Sequence, residues 1–233
     1  MSRRNVAFVL ASALVCAGVA SPNAAAQPAR CRVGVMPPTS HPLGLSYAEW
    51  SAKWWQWGLS RPVEGHPFVN SPQFNIAAGQ AGPVWFLAAP IDTTVRTCTI
   101  PRGKALFVGI INSEWSDLEG FATEPEQREF AAWYADHMLN IFCSVDGVPV
   151  ANIGSYRCAS PQFTFTAPSP WIFGPTGGVG RAVAEGYYVF LRPPTPGSHV
   201  LHFGGAVHFA IAEGDPFDFD ATIDMTYNLT VVP

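Results

Sequence analysis

Two segments of the chain have apolar residues at the 3.6-residue spacing of an amphipathic helix. Each segment opens with a capping box: Ser46 is followed three positions later by Glu49, and Thr123 is followed three positions later by Glu126. A capping box satisfies backbone N–H groups in the first turn and so marks where a helix begins. We therefore predict two helices, over about residues 46–60 and 124–139.

Short apolar runs alternate with Gly- and Pro-rich turns through most of the remaining chain. Asp146-Gly147 lies between two such runs, and this dipeptide is a strong hairpin signal. The turns at residues 101–104 and 193–197 also predict hairpins. The predicted hairpins join residues 141–145 to 148–153, 95–100 to 105–111, and 187–191 to 199–203. This pattern predicts a mainly β protein, an antiparallel β-sandwich or jelly-roll-like domain whose two helices cover an edge or an open end.

The composition narrows the class of protein. Of 233 residues, 48% are apolar and 13% are charged, with 21 Gly and 22 Pro. Disordered chains combine low hydrophobicity with high net charge, and long helical bundles do not contain so many helix-breaking residues. The formal net charge of −4 provides no basic surface for nucleic acid. We expect a folded β-rich protein with no nucleic-acid partner.

The first residues have the layout of an export signal. Arg3-Arg4 precedes an apolar run over residues 6–20, and three consecutive alanines follow. This layout predicts a secretory signal peptide over residues 1–26. A membrane anchor is the less favoured alternative, because about 20 apolar residues are needed to span a bilayer. We expect a secreted or periplasmic protein with one β-rich domain over residues 27–233 and no transmembrane segment after signal removal.

The cysteines fit an oxidising compartment. One of the five, Cys16, lies in the predicted signal peptide. An even number in an exported protein predicts two disulfides, and four cysteines allow three pairings. We favour Cys143–Cys158, which closes a short loop around a predicted hairpin, together with Cys31–Cys98. A tetrathiolate metal site is disfavoured because the chain contains no C-x-x-C pair.

Tryptophan is concentrated in the first predicted helix, which carries half of the eight tryptophans. Trp50, Trp54 and Trp57 form one stripe, whereas Trp55 points about a quarter-turn away. Such a stripe ordinarily packs a helix onto a sheet, but aromatic rings also bind sugar faces and apolar molecules. Because Trp55 is off the stripe, it is the stronger candidate for an exposed or pocket-lining ring. The candidate ligand-binding residues are Trp54, Trp55, Trp57 and Trp115.

Acidic side chains cluster just beyond one predicted strand. Glu114, Asp117 and Glu119 lie there, beside Trp115. A carboxyl group in apolar surroundings has a raised pKa and can act as a general acid, as in glycoside hydrolysis, which needs two carboxyl groups about 5–9 Å apart. The candidate catalytic residues are Glu114 and Asp117, with His202 as a further candidate. The alternative is that these acids are solvated loop residues.

Two further groups of side chains have the chemistry of metal ligands. His202 and His208 flank Gly204-Gly205 and converge only if the glycine pair forms a turn or bulge. With one acid of the cluster above, they would form a two-histidine, one-carboxylate site. Four aspartates between residues 215 and 224 lack the spacing of a calcium loop. Hydrogen-bonded histidines and strand-end acids are the commoner case, so we predict no metal site and no cofactor.

Several motifs together resemble a group of exported bacterial proteins to which no activity is assigned. The motifs are WSAKWWQW, GPVWFL, RTCTIPRGKALF, SVDGVPV, PGSHVLHFGG and YNLTV. They are spread over nearly the whole chain after residue 26. The resemblance implies one exported β-rich domain with a Trp-rich N-terminal helix, and it carries over no catalytic residue.

Three functions remain as hypotheses. The first is an exported β-sandwich protein that binds a carbohydrate or an apolar small molecule through aromatic side chains. The second is a secreted, glycosidase-like hydrolase that uses Glu114 and Asp117. The third is an envelope structural or interaction protein without a catalytic site, whose tryptophans all lie in the core.

Overall fold

The computed structural model describes residues 34–232. Helix α1 spans Tyr47–Leu59 and helix α2 spans Glu124–Asp136, and both predicted capping boxes are formed. The two helix predictions are confirmed, although α2 ends earlier than expected because the chain enters a strand at Met138. The predicted signal peptide lies outside the described residues.

Ten strands are present in this part of the chain, and they form two sheets. The strands are β1 Val84–Leu87, β2 Thr93–Pro101, β3 Ala105–Ser116, β4 Met138–Val145, β5 Val148–Pro149, β6 Arg157–Ala159, β7 Phe163–Ala167, β8 Gly178–Leu191, β9 Gly197–Phe209 and β10 Phe219–Val232. In sheet A the order is β1-β3-β8-β6, and β7 also pairs with β8. In sheet B the order is β2-β10-β9-β4-β5.

The protein is mainly β with two α-helices, as predicted. The sheets are mixed rather than wholly antiparallel, because β1 pairs parallel to β3 and β2 pairs parallel to β10. The other ladders in both sheets are antiparallel. In each parallel pair, one member is an edge strand, β1 or β2. Its partner lies far enough along the chain for a crossover connection, which parallel strands need.

One of the three predicted hairpins is confirmed and two are wrong. Asp146-Gly147 connects β4 and β5, which pair antiparallel. The turn at residues 101–104 instead carries the chain from sheet B to sheet A, because β2 pairs with β10 and β3 pairs with β1 and β8. The turn at residues 193–197 likewise connects β8 of sheet A to β9 of sheet B. In both cases the chain turns as predicted, but its strands pair with distant partners.

The two sheets contact each other through β3, β4 and β9, and the side chain of Ile111 in β3 lies against Gly205 in β9. Helix α1 covers the opposite face of sheet A, where Trp50 packs on Phe107 and Phe190. Helix α2 packs on β3 and β8 of sheet A. No helix within residues 34–232 is long and apolar enough to cross a membrane.

Candidate functional site

The tryptophans of α1 are core residues. Trp50, Trp54, Trp55 and Trp57 are between 3% and 9% exposed. Their indole N–H groups all donate hydrogen bonds within the protein, to Pro42 O, Leu87 O, Tyr188 Oη and Ala78 O, over 2.9 to 3.1 Å. The stripe therefore packs the helix onto sheet A. Trp55 is buried with the rest, but its ring and that of Trp54 also line a cavity.

This cavity has a volume of about 470 Å³ and lies along one edge of β3. Strand β1 covers that edge only from Ala105 to Val108, and no described strand covers it from Gly109 to Ser116. Side chains from several elements surround the gap beside this edge. Its aromatic lining is Trp54, Trp55, Phe68, Trp115, Tyr134 and Phe173.

A bulge in β3 sets which side chains face the cavity. The register with β8 shifts between Gly109 and Ile111, and one extra residue, Ile110, is accommodated there. A one-residue shift reverses the face on which all later side chains lie. Gly109 and Asn112 consequently share the α1 face, and a Cβ placed on Gly109 lies 2.8 Å from Asn112 Nδ2. By alternation Glu114 points to that same face, while Ser113 and Trp115 point away from it.

Gly109 also determines how closely the helix approaches the strand. A Cβ at this position lies 2.6 Å from Trp54 Cζ2, closer than carbon atoms can pack. The absence of a side chain lets the Trp54 ring lie against the strand, where it stacks on Phe68 with 5.1 Å between ring centroids. Both rings line the cavity.

A buried arginine holds the wall that carries Phe68 and Val69. The guanidinium of Arg96 donates to the carbonyl oxygens of Pro67, Val69 and Ala88, over 3.0 to 3.2 Å. It also donates to Tyr227 Oη over 3.0 Å and lies on the face of the Phe74 ring, 3.8 Å from its centroid. The guanidinium therefore bridges the loop after α1, the end of β1 and sheet B.

The rim of the cavity is open to solvent. Phe173 lies in a tight loop closed by a bridge between Trp171 and Gly174 and is 47% exposed. Ile91, on the segment that follows β1, is 63% exposed. These two apolar side chains line the cavity and are also exposed to water, so the cavity reaches the surface at an apolar rim.

Glu114 is the most unusual group in this site. Its side chain is buried, with the residue 4% exposed, and no donor of the described residues hydrogen-bonds to either of its carboxyl oxygens. Ser113 Oγ and Trp115 Nε1 are likewise buried without a partner within residues 34–232. Buried polar groups are nearly always paired. Three consecutive residues of β3 therefore have buried side-chain polar atoms without hydrogen-bond partners, and such atoms can bind a ligand.

The neighbour of Glu114 is a second carboxyl group, that of Glu119. Glu119 lies in the 3-10 turn Asp117–Glu119, and its Oε2 accepts a 2.6 Å hydrogen bond from Ser116 Oγ. Burial and the nearby charges of Glu119 and Asp117 raise the pKa of Glu114 well above its ordinary range. Burial also raises the pKa of Glu119. Two neighbouring carboxylates repel each other, and the greater burial of Glu114 favours keeping the proton on Glu114.

Comparison with models of protein families, with curated proteins and with solved structures gives no match to this chain. Its function is therefore inferred from the site itself.

The structure brings some of the predicted site residues together and separates others. Trp54, Trp55, Trp115 and Glu114 line the cavity. Trp57 lies farther along α1 and packs on Phe86. Asp117 is turned outward, where it accepts hydrogen bonds from the backbone N–H and the Nε of Arg181 over 2.9 and 3.3 Å. The carboxyl group next to Glu114 is that of Glu119, which the sequence places in the same acidic cluster.

His202 lies on β9 in the other sheet, and the histidines around it each pair with a different acid. His202 Nε2 lies 2.8 Å from Asp224 Oδ1, and His208 Nδ1 lies 2.7 Å from Asp220 Oδ1. The two histidines are six residues apart on one continuous strand, about 20 Å at 3.3 Å per residue. The glycine pair between them forms no turn. Residues 34–232 contain no cluster of three metal-ligating side chains.

Three cysteines lie within the described range and form no disulfide with one another there: Cys98, Cys143 and Cys158. Cys143 and Cys158 both lie near the hydroxyl of Tyr47, and burial raises the pKa of each thiol to about 12. The Cys143–Cys158 bridge stays a prediction for the exported protein. Cys31, its predicted bond to Cys98 included, lies outside the described residues.

Proposed function

We propose that this chain is an exported protein that binds a small, largely apolar molecule in the cavity beside β3. The observation that carries the proposal is the cavity of about 470 Å³, with six aromatic side chains in its wall and an apolar rim at Ile91 and Phe173. Concave sites of this size, with mostly apolar walls and a few polar groups, are typical of small-molecule binding.

The polar groups of the cavity favour an apolar ligand over a carbohydrate. A sugar presents many hydroxyl groups, each of which needs a hydrogen-bond partner when it is buried. The indole N–H groups of Trp54 and Trp55 are already bonded within the protein. The buried side-chain N and O atoms left without partners in the described chain belong to Ser113, Glu114 and Trp115. The cavity therefore offers few free polar groups beside its aromatic rings.

Binding can be tested by titration calorimetry at pH 7 against neutral aromatic alcohols, aliphatic alcohols and oligosaccharides. We expect heat from the apolar compounds, and a loss of about fivefold in affinity in Ile91→Ala, because roughly 1 kcal/mol of apolar contact is removed. Ile211→Ala is the matched control, since Ile211 is 60% exposed and lies outside the cavity. Equal losses in both variants, or no binding of any apolar compound, contradict the proposal.

Export is supported by the charged start and apolar run of residues 1–26. N-terminal sequencing of protein recovered outside the cytoplasm of an expression host tests it. We expect the mature chain to begin at Gln27. A chain that retains the apolar run contradicts signal cleavage.

A hydrolase is the second candidate, and the raised pKa of Glu114 favours it, because a neutral carboxyl group can donate a proton at neutral pH. The glycosidase form fits less well, because Asp117, the predicted second carboxyl group, is turned outward to Arg181. Turnover of chromogenic glycosides or esters that is lost in Glu114→Gln would establish catalysis. No turnover and no ligand would leave the structural role as the remaining hypothesis.

A further inference from the structure

The cavity wall carries charge of one sign only. Glu114 and Glu119 are its acidic residues, and no Lys, Arg or His lines it. Behind the wall, the guanidinium of Arg96 is held by the carbonyl oxygens of Pro67, Val69 and Ala88, and at the surface Arg181 pairs with Asp117 over 3.3 Å. The charged side chains that line the cavity itself are therefore both acidic, and they favour a positive group.

The burial of Glu114 adds a second, independent observation. With 4% exposure and no donor from the described residues at either oxygen, its carboxyl group lacks the partners that a buried acid ordinarily has. The raised pKa of Glu114 lets it keep a proton, which relieves the charge but leaves acceptor positions on both carboxyl groups unfilled. A ligand that brings several N–H donors and a positive charge supplies what this pair lacks.

The aromatic walls are suited to the same kind of group. Trp54 and Trp55 have their N–H groups bonded elsewhere, so they offer ring carbons to the cavity rather than donors. The face of an aromatic ring carries partial negative charge and attracts ammonium groups within about 6 Å, most strongly for tryptophan. Rings and carboxyl groups at one site are a recurrent arrangement for binding amines and quaternary ammonium ions.

We infer that the cavity binds an organic amine, with its ammonium group at Glu114 and Glu119 and its apolar body against the tryptophan rings. This inference rests on the proposed function, because it names the chemical class of the ligand for the same cavity. One ammonium group next to the two glutamates balances the charge of one carboxylate, so the other carboxyl group keeps its proton.

Three compounds of nearly equal size test the inference: 2-phenylethylamine, 2-phenylethanol and 3-phenylpropionate, titrated at pH 7 by calorimetry. We expect the amine to bind about tenfold or more tightly than the alcohol, and the carboxylate to bind most weakly. In Glu114→Gln the ratio of the amine and alcohol dissociation constants falls toward one. Glu129→Gln changes an exposed acid of α2 outside the cavity and serves as the control, in which the ratio stays as in the wild type.

The outcomes separate the two proposals. Two results would overturn the inference of an amine ligand and leave an apolar-ligand site. The first is that the wild type binds the alcohol as tightly as the amine. The second is that the preference for the amine survives in both Glu114→Gln and Glu119→Gln. Absence of binding by all three compounds and by the neutral panel overturns both. Circular dichroism and thermal unfolding of each variant show whether a loss of preference comes from a loss of fold.

Discussion

The buried carboxyl group of Glu114 should lower the stability of the protein as the pH rises, and replacing it with an amide should remove this contribution. The perturbation is Glu114→Gln, which keeps the shape of the side chain, is neutral at every pH, and lets an amide N–H donate to Glu119. In the wild type, burial and the neighbouring acids raise the pKa of Glu114 in the folded state. Unfolding returns this pKa to the ordinary range near 4.3.

The sign and size of this change in the free energy of unfolding follow from proton linkage. Below the ordinary carboxyl pKa, both folded and unfolded chains hold the proton, and the contribution of Glu114 to stability is fully present. Above it, the unfolded chain releases a proton that the folded chain retains, so the free energy of unfolding falls by about 1.4 kcal/mol per pH unit. The loss continues until the pH passes the folded-state pKa.

Urea unfolding followed by tryptophan fluorescence at pH 5, 6 and 7 measures this difference. His66 contributes a slope of opposite sign, because burial lowers its pKa to about 4 and its contribution is lost as the pH falls. That slope is common to both proteins and cancels when the variant is compared with the wild type. We expect the advantage of Glu114→Gln to grow with pH, and Glu129→Gln to show no such growth. Parallel curves for Glu114→Gln and the wild type would refute the reasoning.

Three further predictions concern the cavity walls and the thiols. Gly109→Ala should lower the free energy of unfolding by about 1–3 kcal/mol, because its Cβ collides with Trp54, whereas Gly154→Ala, with open space around its Cβ, should be nearly neutral in the same urea titration. Arg96→Met should lower the free energy of unfolding by about 2 kcal/mol or more, because three buried carbonyl oxygens lose a charged donor. Arg102→Met, at an exposed position, should not lower it. Equal effects of the two substitutions would show that the guanidinium of Arg96 does not hold the wall. Thiol counting on exported protein that is denatured without reductant should find no free thiol. Two reactive thiols assigned to Cys143 and Cys158 by peptide mapping would refute the predicted Cys143–Cys158 disulfide.

The helices are the part of the fold that the sequence predicts best, because capping boxes are local. Ser46 with Glu49 and Thr123 with Glu126 satisfy N–H groups in their own first turns, whatever the rest of the chain does. The end of α2 is different. Met138 continues the apolar spacing of the helix, but it pairs with Val207 in β9. A distant strand therefore decides where the helix stops.

The hairpin predictions also succeed where local residues decide the structure and fail where distant strands decide it. Asp146 and Gly147 adopt positive φ angles of 52° and 78°, a conformation that their residue types tolerate, so the turn and its two-residue ladder follow from local preference. The turn at residues 101–104 is equally local, but the partner of β2 is β10, more than 120 residues along the chain. Turn residues show where a chain reverses and do not show which sheet it enters.

The candidate site was visible from the sequence only as neighbouring residue types. Glu114 and Trp115 are adjacent in the chain, yet alternation along a strand places them on opposite faces. Both reach the cavity because this edge of β3 is uncovered within the described chain, and the bulge at Gly109 to Ile111 turns Glu114 toward α1. No residue pattern in the sequence predicts that bulge. Phe68 and Phe173 lie in loops, and the positions of these loops depend on Arg96 and on the Trp171–Gly174 bridge.

An uncovered edge and an unpaired acid are both unfavourable for the free protein. Open strand edges promote pairing with other chains, and proteins ordinarily cover them; a buried polar group without a partner costs about 1–3 kcal/mol. Here the two occur at one place, where aromatic side chains surround the edge without filling it. A ligand that fills the gap and donates to Glu114 removes the second cost in the bound state only, so binding and stability are linked. At a hundredfold excess over its dissociation constant such a ligand raises the free energy of unfolding by about 2.7 kcal/mol, and the absence of this stabilisation for a compound that binds would place it outside the cavity.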